Sequence, residues 1–369
     1  MTSDDSGKGT PATVSGTVRL CFRHESRAAD THVNLSALRV DGRCLWLAGD
    51  ETATIERLVA GTDGREYGDQ ATYRLADLVD LPGDADAEAD IEGIARSDSY
   101  LWAVGSHSLK RKKIKDKHGT EKAFDRLATV AGEDNRNVLL RIPVVQGDDG
   151  LPTLLRKADQ DGQPLHAAVL GAPGDRTLRD LLADDEHLGP FVAIPGKDNG
   201  LDIEGIGINQ NRVYLGMRGP VLRGWAVLLE LEPYVDADEP ERLRLRTLDD
   251  GLPYAKHLLD LGGLGIRDLC PHGDDLLVLA GPTMDLDGPV RVYRWHGACS
   301  VQAPTVVRDE DLTVEVDLPY GEGVDHAEGI VVLDPDDDGA GRLLVVYDSP
   351  ASERLDGGCV TADVVRLPG

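Results

Sequence analysis

The chain has 369 residues, of which 41% are hydrophobic and 28% charged, a balance typical of a globular protein with one large domain or two ordinary ones. Its formal net charge of −27 argues against nucleic acid or an anionic membrane as a partner unless the basic residues are clustered. No apolar run reaches the ~18 residues of a membrane helix, and the first residues, MTSDDSGKGTPATVSG, lack the pattern of a secretory signal, so we expect a cytoplasmic protein.

The predicted elements, taken in chain order, are mostly short strands. A helix is predicted within 113–132, and the leucines of 176–191 have the spacing of a helix. The acidic run 334–342 lacks the ligand spacing of an EF-hand and is interpreted as a turn. Many short strands between Gly, Asp and Asn turns predict a closed all-β architecture. The strand-like runs are TVRLCFRH, RCLWLAG, YLWAVGS, VLLRIPVV, RVYLGM, WAVLLELE, DLLVLAG, VRVYRW, RLLVVYD and ADVVRLP.

The five cysteines form no CxxC motif and no Cys/His pair. An odd number without such spacing predicts buried thiols in a reducing cytoplasm rather than a disulfide framework or a zinc site. The cysteines are Cys21, Cys44, Cys270, Cys299 and Cys359.

A short signature recurs along the chain, each time before a turn and a hydrophobic strand. The clear copies are DIEGIAR from Asp90, DIEGIGI from Asp202 and HAEGIVV from His326. NLSALRV from Asn34 and GIRDLCP from Gly265 are weaker copies. The equivalent anchor residues are Ser36, Glu92, Glu204, Arg267 and Glu328, separated by 56, 112, 63 and 61 residues.

A repeat of roughly 40–60 residues that carries several strands is typical of a β-propeller blade, with a repeated hairpin in a β-sandwich as the alternative. We predict a single all-β propeller of six blades, with five as the alternative count. Residues 1–14 are predicted to be a disordered tail. Residues 15–369 would form the propeller, with an insertion around 107–200 and with the N-terminal strand TVRLCFRH completing the last blade.

Several long strings resemble a bacterial family, domain of unknown function 3616: GSHSLKRKK, NGLDIEGIGI, GMRGPVLRGWAVLLELE, LDLGGLGIRDL, AGPTMDLDGPVRVYRW and YDSP. The resemblance extends from about Asn34 to the end of the chain and implies no activity. More distantly, the repeated D-x-E-G-I is similar to esterase-like phytase and gluconolactonase-type propellers. That second resemblance implies a metal in the central channel and hydrolysis of an ester.

In a propeller, the start of each innermost strand and the end of the next strand lie on the same face. The repeat therefore predicts a ring of carboxylates at one mouth of the channel. Such a ring needs either raised pKa values or a hard cation such as Ca²⁺ or Mg²⁺. Alternatively, each glutamate is a structural staple to the adjacent blade. The predicted metal ligands are Asp90, Glu92, Asp202, Glu204, Glu328 and Asp348.

A cationic group is predicted on the same rim. The run HSLKRKKIKDKH begins at His107, directly after a strand, and Arg267 replaces a glutamate, so that it could pair with Glu204 or Glu328. Converging cations suit an anionic ligand, phosphate above all. The alternative is a solvated loop with structural Arg–carboxylate pairs. The predicted anion-binding residues are Lys110, Arg111, Arg218, Arg223 and Arg267.

Two functions remain open at this point. The first is a metal-assisted hydrolase of a phosphoester or another anionic ester, with Glu92, Glu204, Glu328 or His107 as catalytic groups. The second is a non-catalytic propeller that binds a protein or an anionic ligand. A scaffold should have every carboxylate paired with backbone or arginine, whereas a hydrolase needs carboxylates with open coordination positions.

Overall fold

The computed structural model describes residues 10–248, 251–335 and 341–368. Residues 1–9 of the predicted tail and 336–340 of the predicted acidic turn lie outside this part of the chain. Backbone hydrogen bonds join residues 10–13 to neighbouring strands, for example from Ala12 N to Asp317 O at 2.8 Å. Among the described residues, no helix has the length and apolar character to cross a membrane.

The structure is all-β. In chain order the strands are β1 (Val14–Cys21), β2 (Leu35–Asp41), β3 (Cys44–Gly49), β4 (Thr54–Ala60), β5 (Glu66–Arg74), β6 (Ile91–Ser97), β7 (Tyr100–Gly105), β8 (Lys110–Arg111), β9 (Val130–Ala131), β10 (Leu139–Gln146), β11 (Pro152–Leu154), β12 (Lys157–Gln160), β13 (Gln163–His166), β14 (Ala168–Leu170), β15 (Asp202–Asn209), β16 (Arg212–Gly219), β17 (Ala226–Leu231), β18 (Pro233–Val235), β19 (Leu243–Leu245), β20 (Ala255–Leu259), β21 (Gly265–His272), β22 (Asp275–Gly281), β23 (Val290–Trp295), β24 (Val306–Val307), β25 (Leu312–Leu318), β26 (His326–Leu333), β27 (Arg342–Asp348), β28 (Leu355–Asp356) and β29 (Cys359–Arg366).

Four short helices interrupt the strands: α1 (His24–Ala28), α2 (Leu75–Leu78), α3 (Thr120–Ala128) and α4 (Leu178–Leu182). The helix predicted within 113–132 is α3, and the one predicted within 176–191 is α4 followed by a 3₁₀ turn, Gly189–Phe191. α4 begins at a capping box, in which Thr177 and Asp180 bond each other's backbone N–H groups. Both helices therefore occupy part of the segments in which they were predicted.

The main strands form five antiparallel groups, which we call sheets 1 to 5. Sheet 1 is β2-β3-β4-β5, sheet 2 is β6-β7-β10-β11, and sheet 3 is β15-β16-β17-β20. Sheet 4 is β21-β22-β23-β25, and sheet 5 is β26-β27-β29-β1. Sheets 1 and 5 are joined where β1 runs parallel to β5 over two residue pairs, and an isolated bridge links Asn34, just before β2, to Asp348 of β27. The sequence predicted six such groups, with five as the alternative, and the described residues contain five.

The innermost strands contact one another in cyclic order, β2, β6, β15, β21, β26 and again β2. Each hydrophobic cluster joins two neighbouring sheets, because both faces of a sheet are apolar and each must be covered. Trp46 of sheet 1 packs with Ile91 and Leu101 of sheet 2, for example, while Leu35 of sheet 1 packs with Val346 of sheet 5. Five clusters thus fill five sheet-to-sheet interfaces.

The fully buried Arg39 side chain ties the inner strands together below the mouth. Its guanidinium forms a salt bridge with Asp268 at 2.9 Å and donates to the carbonyl oxygens of Ile206 and Ile330, both at 3.0 Å. These partners belong to β21, β15 and β26. One arginine of β2 therefore binds three other inner strands, and no feature of the repeat pointed to it.

The N-terminal strand completes the last sheet, since β1 pairs antiparallel with β29 from Val14 to Cys21. A disulfide joins Cys21 and Cys359 at the end of this pairing. The prediction that all five cysteines are free thiols is therefore wrong for these two, while Cys44, Cys270 and Cys299 are free. Spacing could not reveal the bond, because 338 residues separate the two cysteines along the chain.

Candidate functional site

Each innermost strand has a β-bulge at its anchor residue. In β6, Ile91 pairs with Gly105 and Gly93 with Val104, so Glu92 is the extra residue. The same register shift occurs at the anchor of β2, β15, β21 and β26. A bulge re-aims the side chain of the extra residue. The repeat therefore records five equivalent bulges that point five anchors at one mouth.

The glycine after each glutamate lies where strands approach closely. A Cβ atom on Gly93 would come within 2.8 Å of Ile206 Cγ2 and 2.9 Å of Glu204 O, and one on Gly329 within 2.7 Å of Leu38 Cδ2. Contacts under 3.0 Å force a neighbour to move, so glycine is required for packing here.

Arg267 bridges two anchors, as its place in the repeat suggested. Its Nη1 forms an ion pair with Glu328 Oε1 and lies 3.4 Å from Glu204 Oε2. Arg218 adds an ion pair with Glu204 at 2.7 Å and lies 3.8 Å from Asp202. Burial raises the pKa of both Asp202 and Glu328 to about 7, with Arg218 and Arg267, respectively, opposing that shift. Three of the predicted metal ligands are thus engaged by arginine.

On the opposite side of the mouth, Asp50, Asp90 and Glu92 form a carboxylate cluster. One oxygen of each lies within 4.8 Å of the others. Burial and the neighbouring Asp90 charge raise the pKa of Asp50 to about 8 and that of Glu92 well above its usual range. Within the described part of the chain, neither Asp50 nor Glu92 has a side-chain hydrogen bond or ion pair.

Asp90 differs from its two neighbours because cations hold it. Arg136 forms an ion pair with Asp90, and Lys110 Nζ lies 3.7 Å from Asp90 Oδ1. Arg136 also donates to the hydroxyl groups of Ser106 and Ser108, at 2.9 and 2.8 Å. Arg136 thus fixes the orientation of Asp90, while Asp50 and Glu92 form no salt bridge of their own and the charge of Lys110 only partly opposes the raised pKa of Asp50.

Two cavities open at this mouth. One, of about 570 Å³, contains the Asp50–Asp90–Glu92 cluster and the other, of about 420 Å³, contains Arg267 and Glu328. Both are lined by Lys113, Lys197, Arg218 and Asp285. They are therefore two halves of one mouth, separated by the ion pair between Lys113 and Asp285 at 3.0 Å.

The basic run lies over the mouth and does not project away from it. Lys110, Arg111, Lys112 and Lys113 all line the larger cavity. Three of them have acidic partners: Lys110 pairs with Glu88, Arg111 with Asp198 at 2.6 Å, and Lys113 with Asp285. These four cations therefore lie at the rim where the sequence placed them, but acidic partners neutralise three of the four.

Three predicted site residues line neither cavity: Glu204, which Arg218 and Arg267 hold, and also His107 and Arg223. His107 is fully buried, and its Nδ1 donates to Gly105 O at 2.7 Å. Burial lowers the pKa of His107 to about 4. Arg223 lies in an exposed turn after β16, in the left-handed region with a φ of 50°. Neither His107 nor Arg223 reaches the carboxylates. His107 follows β7 and points into the protein, and Arg223 lies in a turn that faces outward.

Asp348 also lies apart from the carboxylate cluster. It lines the smaller cavity, where its Oδ2 is 4.0 Å from His326 Nδ1 and accepts a hydrogen bond from Ser349. The cluster instead includes Asp50, which was not among the predicted ligands. Lys197, in the 3₁₀ turn Gly196–Asp198, carried no sequence signal as a rim cation.

With this geometry in place, the sequence comparison adds the family. A family model described as a protein of unknown function, DUF3616, matches residues 34–363. The chain belongs to this family. That match covers nearly the whole chain, as the resemblance in the sequence implied. No curated protein matches the sequence.

Solved structures give weak similarities only. The Malassezia sympodialis allergen Mala s 1 has a TM-score of 0.41 and 8% identity, covering 96% of this chain and 97% of that one. The catalytic domain of a Coprinopsis cinerea GH62 α-L-arabinofuranosidase has a TM-score of 0.39 and 9% identity, and the match covers 97% of each chain. The Pseudomonas aeruginosa periplasmic gluconolactonase PpgL has a TM-score of 0.33 and 12% identity, and the match covers 90% of this chain and 73% of that one. TM-scores this low carry no inference about this protein.

Proposed function

We propose that the protein is a metal-assisted hydrolase of an anionic ester, with its site at the mouth of a single five-bladed propeller. The observation that carries the proposal is the Asp50–Asp90–Glu92 cluster. Asp50 and Glu92 are partly buried beside the fully buried Asp90, and neither forms a side-chain hydrogen bond or a salt bridge among the described residues. Carboxylates so placed must either bind protons or share a cation.

The donor set fits a hard divalent cation such as Ca²⁺ or Mg²⁺, because all three side chains offer oxygen and the larger cavity leaves room for water. When bound, such an ion would polarise an ester oxygen and lower the pKa of a bound water. Asp50 and Glu92 would be its main ligands. Asp90 would be held in orientation by Arg136.

The remaining groups suit the binding of an anion above the cluster. Lys112 and Lys197 are exposed, line the larger cavity and form no ion pair with a described carboxylate. They are therefore better candidates for holding a substrate anion than Arg218, whose charge is already shared by Glu204 and Asp202. Glu204 and Glu328 act as staples between sheets.

A non-catalytic binding module is the second candidate, and the Arg267 network favours it. Every carboxylate that Arg267 and Arg218 reach is paired, as a scaffold requires. A scaffold role does not explain why Asp50 and Glu92 lack a salt-bridge partner. The two functions therefore differ in what this pair of carboxylates does.

The test is calorimetric titration of the protein with Ca²⁺, Mg²⁺ and Mn²⁺, together with a hydrolysis screen on phosphoesters and lactones. We expect one divalent ion to bind, and proton release at pH 7, because the pKa of Asp50 is about 8. Asp50→Asn and Glu92→Gln should each weaken binding at least tenfold and abolish hydrolysis.

The matched control is Asp184→Asn, which removes an exposed carboxylate that lines neither cavity and should leave metal affinity unchanged. Metal binding without turnover on any ester would favour the binding module. No binding of any divalent ion, with a melting temperature indifferent to EDTA, would overturn the metal site itself.

A further inference from the structure

The channel mouth carries an unusual share of the exposed apolar surface. Thirteen large apolar side chains are exposed among the described residues, and five of them line the two cavities. Leu286 is the most exposed of the five, at 61%. A cluster of exposed apolar groups at a cavity, in contrast to scattered single ones, indicates a binding surface. The five are Ile114, Leu127, Met284, Leu286 and Tyr320.

Four of these side chains come from two segments that face each other, and the fifth, Tyr320, lies in the segment between β25 and β26. The first is the insertion 110–131, which contains β8, α3 and β9, and the second is the loop 283–288. Lys113 of the insertion and Asp285 of the loop form the ion pair across the mouth. α3 contributes no buried residue, and its Phe124 is 74% exposed. The apolar groups therefore do not serve the core of the protein.

The same surface is cationic in an otherwise acidic protein. Residues 110–131 contain eight Lys or Arg and three Asp or Glu, whereas the whole chain has a net charge of −27. Lys112 and Lys197 form no salt bridge within the described ranges, and Lys197 acts on the Asp285 carboxylate only through its charge. A surface that combines exposed apolar side chains with ammonium groups outside any salt bridge complements a ligand that is apolar at one end and anionic at the other.

We propose that the mouth binds amphiphilic anions, in which an oxyanion head is joined to an alkyl chain. The head would lie against Lys112 and Lys197, and the chain against Leu127 and Leu286. This inference names the substrate class of the proposed hydrolase and rests on that proposal for its catalytic meaning. The binding itself requires no metal, so it can be tested separately.

The probes are inorganic phosphate, butyl phosphate and octyl phosphate, each kept below its micellar concentration and titrated calorimetrically into the full-length protein in EDTA. Each buried methylene strengthens binding by about fourfold. We therefore expect octyl phosphate to bind at least tenfold more tightly than butyl phosphate, and raised salt to weaken both. Octanol, which has the chain without the charge, should bind at least tenfold more weakly than octyl phosphate.

Leu127→Ser and Leu286→Ser should remove most of the gain with chain length, while Lys197→Gln should weaken all phosphates by a similar factor. Leu355→Ser, at an exposed apolar residue that lines neither cavity, is the matched control and should change nothing. All these side chains are exposed, so the variants should fold.

Equal affinity for butyl and octyl phosphate would overturn the proposal. So would capture of the protein by vesicles of anionic phospholipid without binding of monomeric octyl phosphate, because the surface would then be a lipid-docking face. Failure of the metal titration with success of this one would refute the hydrolase and retain the ligand class.

Discussion

At the scale of single residues, the anchor positions explain why one side of the mouth is neutralised and the other is not. In ring order, Arg267 lies between Glu204 and Glu328 and contacts both. Glu92 lies between Ser36 and Glu204, so neither neighbouring anchor is a cation. Ser36 instead donates to the backbone, to Ile91 O at 2.5 Å. Glu92 therefore remains without a counter-charge.

The Arg267 network is expected to be a stability element with a defined pH dependence. Arg267→Met would leave Glu328 buried without its main partner, which costs about 3–5 kcal/mol when the charge persists. The pKa of Glu328, already about 7, would rise further, so the folded variant would bind a proton that the unfolded chain releases. The loss in free energy of unfolding should thus be larger at pH 8 than at pH 6 in urea titrations. Arg267→Met combined with Glu328→Gln should recover part of it, and equal losses at both pH values would contradict this account.

His107 is expected to make the protein sensitive to acid. Its pKa is lowered by burial to about 4, so the unfolded chain binds a proton between about pH 6.5 and pH 4 that the folded protein excludes. Stability is therefore lost as the pH falls through this range, by about 2 kcal/mol at pH 5.

The check is the difference in free energy of unfolding between pH 7 and pH 5. His107→Asn should show a smaller difference than the unaltered protein, because asparagine does not titrate and tolerates the positive φ of 56° at this position. The same pH dependence in both proteins would show that His107 does not cause it.

At the scale of elements, the bulged inner strand is the unit that repeats. The strand must project its anchor into the channel and still pack against the next inner strand, and the bulge with a following glycine satisfies both needs. Where the following residue is not glycine, it is Ala37 in β2 or the buried Asp268 in β21, which accepts from Arg39. The glycine of the motif is therefore replaced by another residue where the neighbouring strand leaves room for a side chain.

Gly93→Ala is expected to destabilise the protein by about 1–3 kcal/mol, because the new methyl group would meet Ile206 and the Glu204 carbonyl at under 3.0 Å. Gly119→Ala is the matched control, since a Cβ there meets nothing within 4 Å. Thermal unfolding of the two variants should separate them clearly. If both melt like the original protein, the close approach of β6 and β15 is not a constraint.

At the scale of the whole molecule, closure depends on the two chain ends. β1 supplies the outer strand of sheet 5 and continues the pairing to β5 of sheet 1, so it touches the first and the last sheet of the chain. The disulfide between Cys21 and Cys359 makes this contact covalent. Because every sheet buries its faces only against its neighbours, opening this junction exposes two sheets at once.

The disulfide is expected to stabilise the protein by up to about 5 kcal/mol, because it closes a loop of several hundred residues in the unfolded chain. Cys21→Ser with Cys359→Ser should lower the melting temperature, and dithiothreitol should lower that of the original protein to a similar value. Dithiothreitol should not affect the double variant. Equal melting temperatures for the oxidised protein and the double variant would show that strand pairing alone maintains closure.

The sequence by itself determined the all-β fold, the repeat and the anchor residues of the inner strands. These follow from local patterns: short apolar runs between turns, and a motif that records a bulge in each inner strand. Glu92 and Arg267 are at the mouth because each occupies an anchor position. The pairing of the N-terminal strand was also predictable, since it lacked an anchor of its own.

Only the tertiary structure decided which of those residues remain chemically free. Arg136, Asp50 and Lys197 lie outside the repeat motif, and the disulfide joins residues 338 positions apart. The pKa of Glu92 depends on its burial and on the carboxylates that neighbouring strands bring near it, and that of His107 mainly on burial. A sequence motif determines the backbone position from which a side chain projects. The pKa and the binding partners of that side chain depend on which groups of the other sheets lie within a few ångströms of it.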